Sequence, residues 1–341
     1  MSGPGVLALG CFLWLLFSGA GLTSGGDHAA QNVTLVLNSP PNGLHTGIIY
    51  TQRKGFYTRA GLLVTIERGM GSGHTVRTLH KRQMAFGVAE MAAVVESRAE
   101  GLDLAGLALL MERYPGSLIA LESSGIRSPA DLSGKRLAGS VSSFSRILFP
   151  SFAERAGLRL AQVRWTNIGP RSEIQALLAG KAAAIVTSEV SRWRYDRAAG
   201  RRNKTVTSLL YTDQGMEVYG LSLLAPVRLI EEQENIVRRM VEATVRGQAE
   251  AMSRPAEALE LFRRSFPDYP PEGAKAEWRV FVKSWSARGL KNPGLGFYEG
   301  VRVGMLQSLL IRGRQLTKEF AVESFFTNRF VPKVSVRPVP F

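Results

Sequence analysis

The sequence predicts an α/β protein with two lobes joined by a hinge, on three observations. Its 341 residues exceed the size at which a single hydrophobic core usually stops growing. Predicted strands and helices alternate in two successive series, and the remainder of the chain is mainly helical. Hydrophobic residues make up 45% and charged residues 21% of the chain, so there is enough apolar material for two cores.

The first series begins with a strand at 32–38, where apolar and polar residues alternate. A helix over about 44–53 and a second strand at 62–67 follow, and strand, helix and strand at this spacing form a βαβ unit. The same pattern continues with a helix at 76–82, a strand at 85–88, a helix at 91–99 and a strand at 104–111. We therefore expect a parallel sheet in the first lobe.

The second series starts with a strand at 117–121 and ends near 219–220. Residues 221–224 are then expected to return to the first lobe as a strand. Beyond residue 227 the apolar side chains show helical spacing, and helices are expected as far as 317–326. The predicted boundaries are 33–113 together with 222–341 for lobe 1, and 114–221 for lobe 2.

The N-terminus carries an apolar run from Val6 to Leu22, followed by small and polar residues up to Gly26. This pattern predicts a signal peptide over residues 1–26 and export to the periplasm, with an uncleaved anchor helix as the alternative. Cys11, the single cysteine of the chain, lies inside the run. A mature chain without cysteine would exclude disulfides, thiolate metal sites and cysteine catalysis.

The formal net charge of +15 raises nucleic acid as a possible partner. The basic residues are spread along the chain, however, with one dense patch over residues 192–204. A patch of this kind is typical of a solvated helix and loop. We therefore expect no nucleic-acid partner, and the positive charge favours an anionic ligand or proximity to a membrane surface.

Three loops of the first lobe follow predicted strands, where ligands bind in open α/β sheets. Asn42 and His45 lie in a proline-stiffened loop, and either could contact a ligand or belong to a plain helix entry. Gly71 and Ser72 precede a helix, where bare backbone N–H groups suit an anion or a carbonyl oxygen. Glu90 ends a buried strand, where its carboxylate would accept from ligand amino groups or pair with a neighbour.

The second lobe offers hydroxyl-rich and aromatic candidates. A serine-rich loop joins a strand to a helix, and its hydroxyl groups would serve as ligand donors or as an ordinary helix cap. Trp193 and Tyr219 could stack on a planar ligand, although tryptophan in such a place often serves packing. The candidate ligand residues of this lobe and of its boundary are Ser142, Ser143, Ser145, Glu189, Trp193 and Tyr219.

The sequence shows no nucleophile elbow, no phosphate-binding Walker loop and no helical His-Glu metal pair. Its four histidines are scattered along the chain. We therefore expect a monomeric binding protein without cofactor, metal or catalytic activity.

Several short motifs resemble one family of two-lobed receptors. The segments are Pro41-Asn42-x-x-His45-Thr46-Gly47, Lys54-Gly55-Phe56-Tyr57, Gly125-Ile126-x-Ser128-Pro129-x-Asp131-Leu132 and Gln175-Ala176-Leu177-Leu178-x-Gly180-Lys181. Together they resemble the type II periplasmic binding proteins that bind nitrate, sulfonates, taurine and thiamine pyrimidine precursors. The resemblance implies a receptor that closes on its ligand and delivers it to an ABC permease and its ATPase.

Within this family, Asn42 and His45 look most like the branch that binds thiamine pyrimidine precursors. That branch also includes a eukaryotic pyrimidine synthase, whose cysteine-rich motif is missing here, and the absence argues against the enzyme. The expected ligand is therefore a planar, nitrogen-containing compound. The alternatives are a small oxyanion such as a sulfonate, taurine or nitrate, and a role as a thiamine-pyrimidine-forming enzyme.

Overall fold

A computed structural model describes Met1 and residues 30–141, 143–285, 289–313 and 316–336, without the side chains of residues 291 and 292. Apart from Met1, the predicted signal peptide lies outside the described residues. Within the described part, no helix is both long and apolar enough to span a membrane.

The first of two five-stranded sheets has the strand order β2-β1-β3-β10-β4. Its strands are β1 (Gln31–Val36), β2 (Leu62–Glu67), β3 (Ala85–Glu90), β4 (Leu104–Leu109) and β10 (Leu221–Pro226). β1 pairs in parallel with β2 and β3, whereas β10 lies antiparallel between β3 and β4. The four strands of the first series therefore run in the same direction, as expected, but the strand that returns from the second series inserts between β3 and β4 in the opposite direction.

The second sheet has the order β7-β6-β8-β5-β9. Its strands are β5 (Gly116–Leu121), β6 (Arg136–Gly139), β7 (Arg164–Asn167), β8 (Ala184–Ser188) and β9 (Val206–Leu210). β5 runs antiparallel to both of its neighbours, β8 and β9. β9 was not expected from the sequence, because it follows the basic patch directly. Most of its residues are only partly buried.

Helices cover these sheets and fill the C-terminal part of the chain. They are α1 (Thr46–Arg53), α2 (Phe56–Arg59), α3 (Ser72–His80), α4 (Met91–Ala99), α5 (Phe144–Arg155), α6 (Glu173–Leu178), α7 (Arg192–Gly200), α8 (Val227–Glu232), α9 (Glu234–Ser253), α10 (Pro255–Ser265), α11 (Pro271–Lys283) and α12 (Gly300–Arg312). α1 packs between α9 and α10, and α11 packs against residues 43–45. α11 thus borders the loop that follows β1.

The helix expected at 317–326 is wrong. Only Val322–Phe325 form a short 3-10 turn there. The Gln307 side chain accepts from the Phe320 backbone N–H at 2.8 Å and donates to the Phe320 carbonyl at 3.1 Å. Because these two bonds occupy both backbone groups of Phe320, that residue is held outside a helix.

Two chain segments connect the sheets and together form the hinge, residues 110–116 and 216–221. They are hydrogen-bonded to each other, from the Tyr114 N–H to the Val218 carbonyl at 2.7 Å and from the Gly220 N–H to the Met111 carbonyl at 3.0 Å. The lobe boundaries expected at 113 and 221 fall within these segments and stay a prediction.

Arg302 of α12 clamps the hinge. Its guanidinium forms an ion pair with the buried Glu112 carboxylate at 3.0 Å and donates to the Glu112 and Glu217 carbonyls. It also lies over the Tyr219 ring, at 4.2 Å from the centroid. One cation therefore contacts both hinge segments.

Replacing this cation should destabilise the fold. We expect Arg302→Leu to lower the free energy of unfolding by about 3 kcal/mol, the scale for removing one partner of a buried ion pair. Denaturant titration followed by circular dichroism measures the change. Arg312→Leu, an exposed position on the same helix, should change stability by less than about 0.5 kcal/mol. Equal, small effects of both substitutions would contradict the clamp.

Candidate functional site

The carboxyl-terminal edges of the two sheets face each other across the hinge. One hinge segment runs from the end of β4 to the start of β5, which lies beside the end of β8. The other runs into the start of β10, where Leu221 pairs with Glu90 at the end of β3. Because both connections leave and enter at these edges, the cleft between the edges is the candidate ligand site.

A chain of hydrogen-bonded side chains leads from the buried His45 to this cleft. The Asn42 backbone N–H donates to His45 Nδ1 at 3.2 Å, so His45 Nε2 carries the proton and donates to Asn38 Oδ1 at 2.9 Å. The Asn38 side chain in turn hydrogen-bonds to the Glu90 carboxyl group. His45 thereby fixes the orientation of the Asn38 amide, and the amide in turn fixes the orientation of the Glu90 carboxyl group.

Burial shifts the pKa of His45 and of Glu90, the two ends of this series of hydrogen-bonded side chains. It lowers the pKa of His45 to about 4, so the imidazole is neutral near pH 7 and keeps the tautomer just described. Burial also raises the pKa of Glu90, and hydrogen bonds from its own backbone N–H and from Asn38 only partly oppose the shift. A carboxyl group with a raised pKa exchanges a proton more readily near neutral pH than an ordinary surface glutamate.

Asn38 is a residue that the sequence reasoning missed as a ligand candidate. Its position two residues after the end of β1, at the carboxyl end of a strand, was the available signal. The predicted Asn42 is instead occupied by the loop itself, since its side chain caps the following turn and donates to Ser39 Oγ at 2.9 Å. Whether Asn42 or His45 touches a ligand stays a prediction.

Gly71 and Ser72 also border Glu90. The Glu90 backbone N–H donates to Ser72 Oγ at 3.1 Å, and the Gly71 N–H donates to the Asn38 carbonyl at 2.7 Å. Gly71 has a φ of +111°, a conformation that side chains with a Cβ rarely adopt. The loop after β2 therefore contacts the Glu90 backbone and the loop after β1.

The described serine side chains of the loop after β6 form hydrogen bonds with other groups of the protein. Ser143 caps α5 by accepting from the Arg146 N–H at 3.2 Å. Ser145 is fully buried and hydrogen-bonds to the Thr187 carbonyl and to the Tyr114 hydroxyl. Ser142 lies outside the described residues. Ser145 thus ties the hinge residue Tyr114 to the end of β8.

A second buried carboxyl group, Glu173, lies at the edge of the second sheet. It accepts from the Tyr195 hydroxyl at 2.9 Å and is also hydrogen-bonded to the Ser140 backbone and the Thr187 side chain. Burial is the main cause that raises its pKa. The sequence did not reveal Glu173, because a glutamate at the first position of a helix is ordinarily explained by the helix dipole.

Glu277 of α11 joins the two lobes. Its buried carboxylate accepts from the Gly43 N–H at 2.7 Å, from the Trp193 indole at 2.9 Å and from the Tyr269 hydroxyl at 2.8 and 2.9 Å. A Cβ at residue 43 would lie only 2.4 Å from the Ala274 carbonyl oxygen, so the close approach requires glycine. We name this contact the Glu277 junction.

Trp193 and Glu189 belong to a different place from Glu90. Both line a cavity of 590 Å³ between α7 and α11, and its walls include none of residues 38–45, 69–72, 90 and 140–145. Glu189 forms an ion pair with Arg192 at 3.4 Å. The Tyr219 ring is buried under the Arg302 guanidinium, and its hydroxyl accepts from the Glu299 N–H at 2.9 Å. Ligand contact by these three residues stays a prediction.

No group of three or more potential ligand side chains that could hold a metal ion occurs among the residues described here.

Because the pKa of Glu90 is raised, ionising this side chain in the folded protein costs free energy, so the stability of the fold should depend on pH. Stability should be greatest below the pKa of the unfolded chain and fall as the pH rises through the folded-state pKa, because only the unfolded chain ionises freely. Glu90→Gln should therefore raise the melting temperature at pH 7 and leave it unchanged near pH 4. Thermal unfolding at both pH values measures this, and a variant less stable than the wild type at pH 7 would contradict it.

The Glu277 junction should be a strong stabilising contact. Glu277→Leu removes the acceptor of three donors, the buried Gly43 N–H and the partly buried Trp193 and Tyr269 side chains, and is expected to cost about 3 kcal/mol of unfolding free energy. It should also speed amide exchange at Gly43. Glu272→Leu on the same helix removes only an exposed ion pair with Arg197 and should cost less than about 1 kcal/mol. Unchanged exchange at Gly43 in Glu277→Leu would refute the junction.

Comparison with known proteins identifies relatives along most of the chain. A pyrimidine phosphate synthase of Legionella pneumophila, named for 4-amino-5-hydroxymethyl-2-methylpyrimidine phosphate, is 26% identical over 89% of this chain and 93% of the relative. The riboflavin-binding protein RibY of Chloroflexus aurantiacus is 24% identical, over 89% and 86% respectively. The formylaminopyrimidine-binding protein of Halalkalibacterium halodurans is 21% identical, over 70% and 72%.

Among solved structures, the periplasmic aliphatic sulphonate binding protein SsuA of Escherichia coli matches with a TM-score of 0.69. The sequence identity is 15%, and the match covers 86% of this chain and 96% of that chain. The predicted fold class is confirmed: two α/β lobes of the periplasmic binding protein fold. This fold fits a solute-binding role.

The expectation that the chain lacks catalytic activity is contradicted by its relatives and is wrong. The Legionella relative has the name of an enzyme, and so does a Schizosaccharomyces pombe relative that is 24% identical over 38% of this chain. The missing cysteine-rich motif and the missing catalytic motifs therefore do not exclude an enzyme. Catalysis depends on individual site residues, which need not form a familiar motif.

The resemblance to receptors for thiamine pyrimidine precursors and related solutes is also confirmed at the level of the family. A family model described as NMT1/THI5 like matches residues 42–258, which is more than half of the chain. This chain belongs to the NMT1/THI5-like family.

Proposed function

We propose that the chain binds a thiamine pyrimidine precursor, or a similar planar nitrogen heterocycle, in the cleft between the two sheets. The observation that carries the proposal is the Glu90 carboxyl group, which has a raised pKa and is held in place by Asn38 and His45. This carboxyl lies at the edge where ligands bind in open α/β sheets.

The chemistry of an aminopyrimidine complements such a carboxyl group. The amino group of the ligand donates a hydrogen bond, and the adjacent ring nitrogen accepts one. A carboxyl with a raised pKa can accept from the amino group with one oxygen and share its own proton with the ring nitrogen through the other. Proton sharing makes the pair charge-assisted, and such bonds are about twice as strong as neutral ones.

The names of the relatives support this ligand class. The Legionella and Halalkalibacterium proteins are named for aminopyrimidines, and the Chloroflexus protein is named for another planar nitrogen heterocycle. In the proposed role the chain is an exported receptor that delivers its ligand to an ABC permease and its ATPase. Closure of the two lobes on the ligand would provide the signal that the permease reads.

The alternative ligand is a small oxyanion, as the name of SsuA suggests for that protein. An oxyanion would suit the net positive charge of this chain. It would gain nothing from an ionised Glu90, which repels it. Glu90 therefore separates the two ligand classes.

The two ligand classes predict opposite effects of Glu90→Gln on ligand affinity. Glu90→Gln should weaken the binding of hydroxymethylpyrimidine or formylaminopyrimidine by about 1–3 kcal/mol, because an amide cannot share a proton with the ring nitrogen. Calorimetry with these compounds, taurine and nitrate measures the affinities. Glu96→Gln is the matched control, since burial raises the pKa of this α4 carboxyl to about 7, and it should leave the affinity unchanged.

Tight binding of taurine or nitrate alone would refute the proposal. So would a Glu90→Gln variant that binds the aminopyrimidines as tightly as the wild type does.

A second candidate function is formation of the pyrimidine phosphate itself, which the synthase names of two relatives favour. Expression in a bacterial host that lacks its own pyrimidine synthase distinguishes the candidates. A synthase restores growth without added pyrimidine. A receptor improves growth only when a low concentration of the precursor is supplied and the cognate permease is co-expressed.

A further inference from the structure

The cavity between α7 and α11 has the size and construction of a small-molecule site. Its volume of 590 Å³ lies in the range of about 300–1,000 Å³ that is usual for such sites. The hinge contributes Arg113, α11 of lobe 1 contributes its C-terminal half, and lobe 2 contributes Trp193, the turn that follows β8 and Leu210 at the end of β9. A ligand bound here would contact both lobes.

The charge of the cavity walls favours an anion. Three cationic side chains, Arg113, Arg192 and Lys283, face two carboxylates, Glu189 and Asp196, which leaves a net charge of +1; Arg279 also lines the cavity but already has an interaction partner. Arg192 pairs with both carboxylates, at 3.4 and 3.5 Å. The excess positive charge therefore lies on the lobe 1 side.

Arg113 is held in a fixed orientation on that side. Its Nε donates to the Ser284 carbonyl at 2.9 Å and its Nη2 to the Lys283 carbonyl at 3.0 Å. These neutral acceptors fix the guanidinium without cancelling its charge. A fixed cation loses little conformational entropy when an anion binds.

Trp193 supplies a planar wall whose orientation is also fixed. Its indole N–H donates to Glu277 at 2.9 Å, so the ring cannot turn without breaking this partly buried hydrogen bond. Pro115, Leu210 and Val280 add apolar surface to the same cavity. An aromatic face beside excess positive charge matches a flat ligand that carries a negative group.

We propose that this cavity is a second binding site, separate from the cleft at Glu90, and that it takes a planar organic anion. Because the cavity spans both lobes, its occupant stabilises the lobe arrangement that forms it. Binding in the cleft and binding in the cavity are then energetically coupled, and the coupling is reciprocal.

Naphthalene-2-sulfonate tests the site, with the uncharged 2-naphthalenemethanol as its matched counterpart. Calorimetry should show one equivalent of the sulfonate bound and at least about tenfold weaker binding of the alcohol. Lys283→Gln should weaken sulfonate binding about tenfold, and Lys283→Arg should restore it. Lys275→Gln, an exposed α11 position outside the cavity, and Glu90→Gln should each leave sulfonate binding unchanged.

Three results would overturn the proposal. Equal binding of the alcohol would show an apolar contact without anion recognition. Equal weakening by Lys275→Gln would show attraction to the positive surface in general. Absence of sulfonate binding would show that the cavity does not bind the anion. A loss of sulfonate binding in Glu90→Gln but not in Lys283→Gln would show that the anion binds elsewhere. None of these results bears on aminopyrimidine binding in the cleft, which is measured separately.

Discussion

The Glu277 carboxylate is the contact on which the arrangement of the two lobes depends. It is 1% exposed, and it holds the Gly43 N–H of one lobe and the Trp193 indole of the other. A buried carboxylate is tolerated only when hydrogen-bond donors surround it, and these donors come from both sides of the cleft. The positions of the loop after β1 and of α7 are therefore linked through one side chain.

This linkage separates two regions with different chemistry. On one side, Asn38, His45 and Glu90 form a hydrogen-bonded chain that ends in a carboxyl group with a raised pKa. On the other side, Trp193 borders a cavity with excess positive charge. An aminopyrimidine suits the first region and an organic anion suits the second. The chain can therefore have a net positive charge and still bind one ligand through a buried acidic group.

The fold could be predicted because the alternation of strands and helices is a local signal. The insertion of β10 between β3 and β4 could not, since residues 221–226 gain their neighbours only from tertiary structure. The same limit applies to the site. Glu90 was found from its place at the end of a strand, and Asn38 offered a similar signal, whereas Glu173 and Glu277 can be recognised only from partners that are distant in the chain.

The central claim is that an aminopyrimidine binds to the Glu90 carboxyl group. A crystal structure of the chain with hydroxymethylpyrimidine tests it most directly. The account predicts that the amino group and a ring nitrogen of the ligand each lie about 2.7–3.2 Å from the Glu90 oxygens, with Asn38 still hydrogen-bonded to that carboxyl. A pyrimidine bound elsewhere, with Glu90 in contact only with protein atoms, would contradict it.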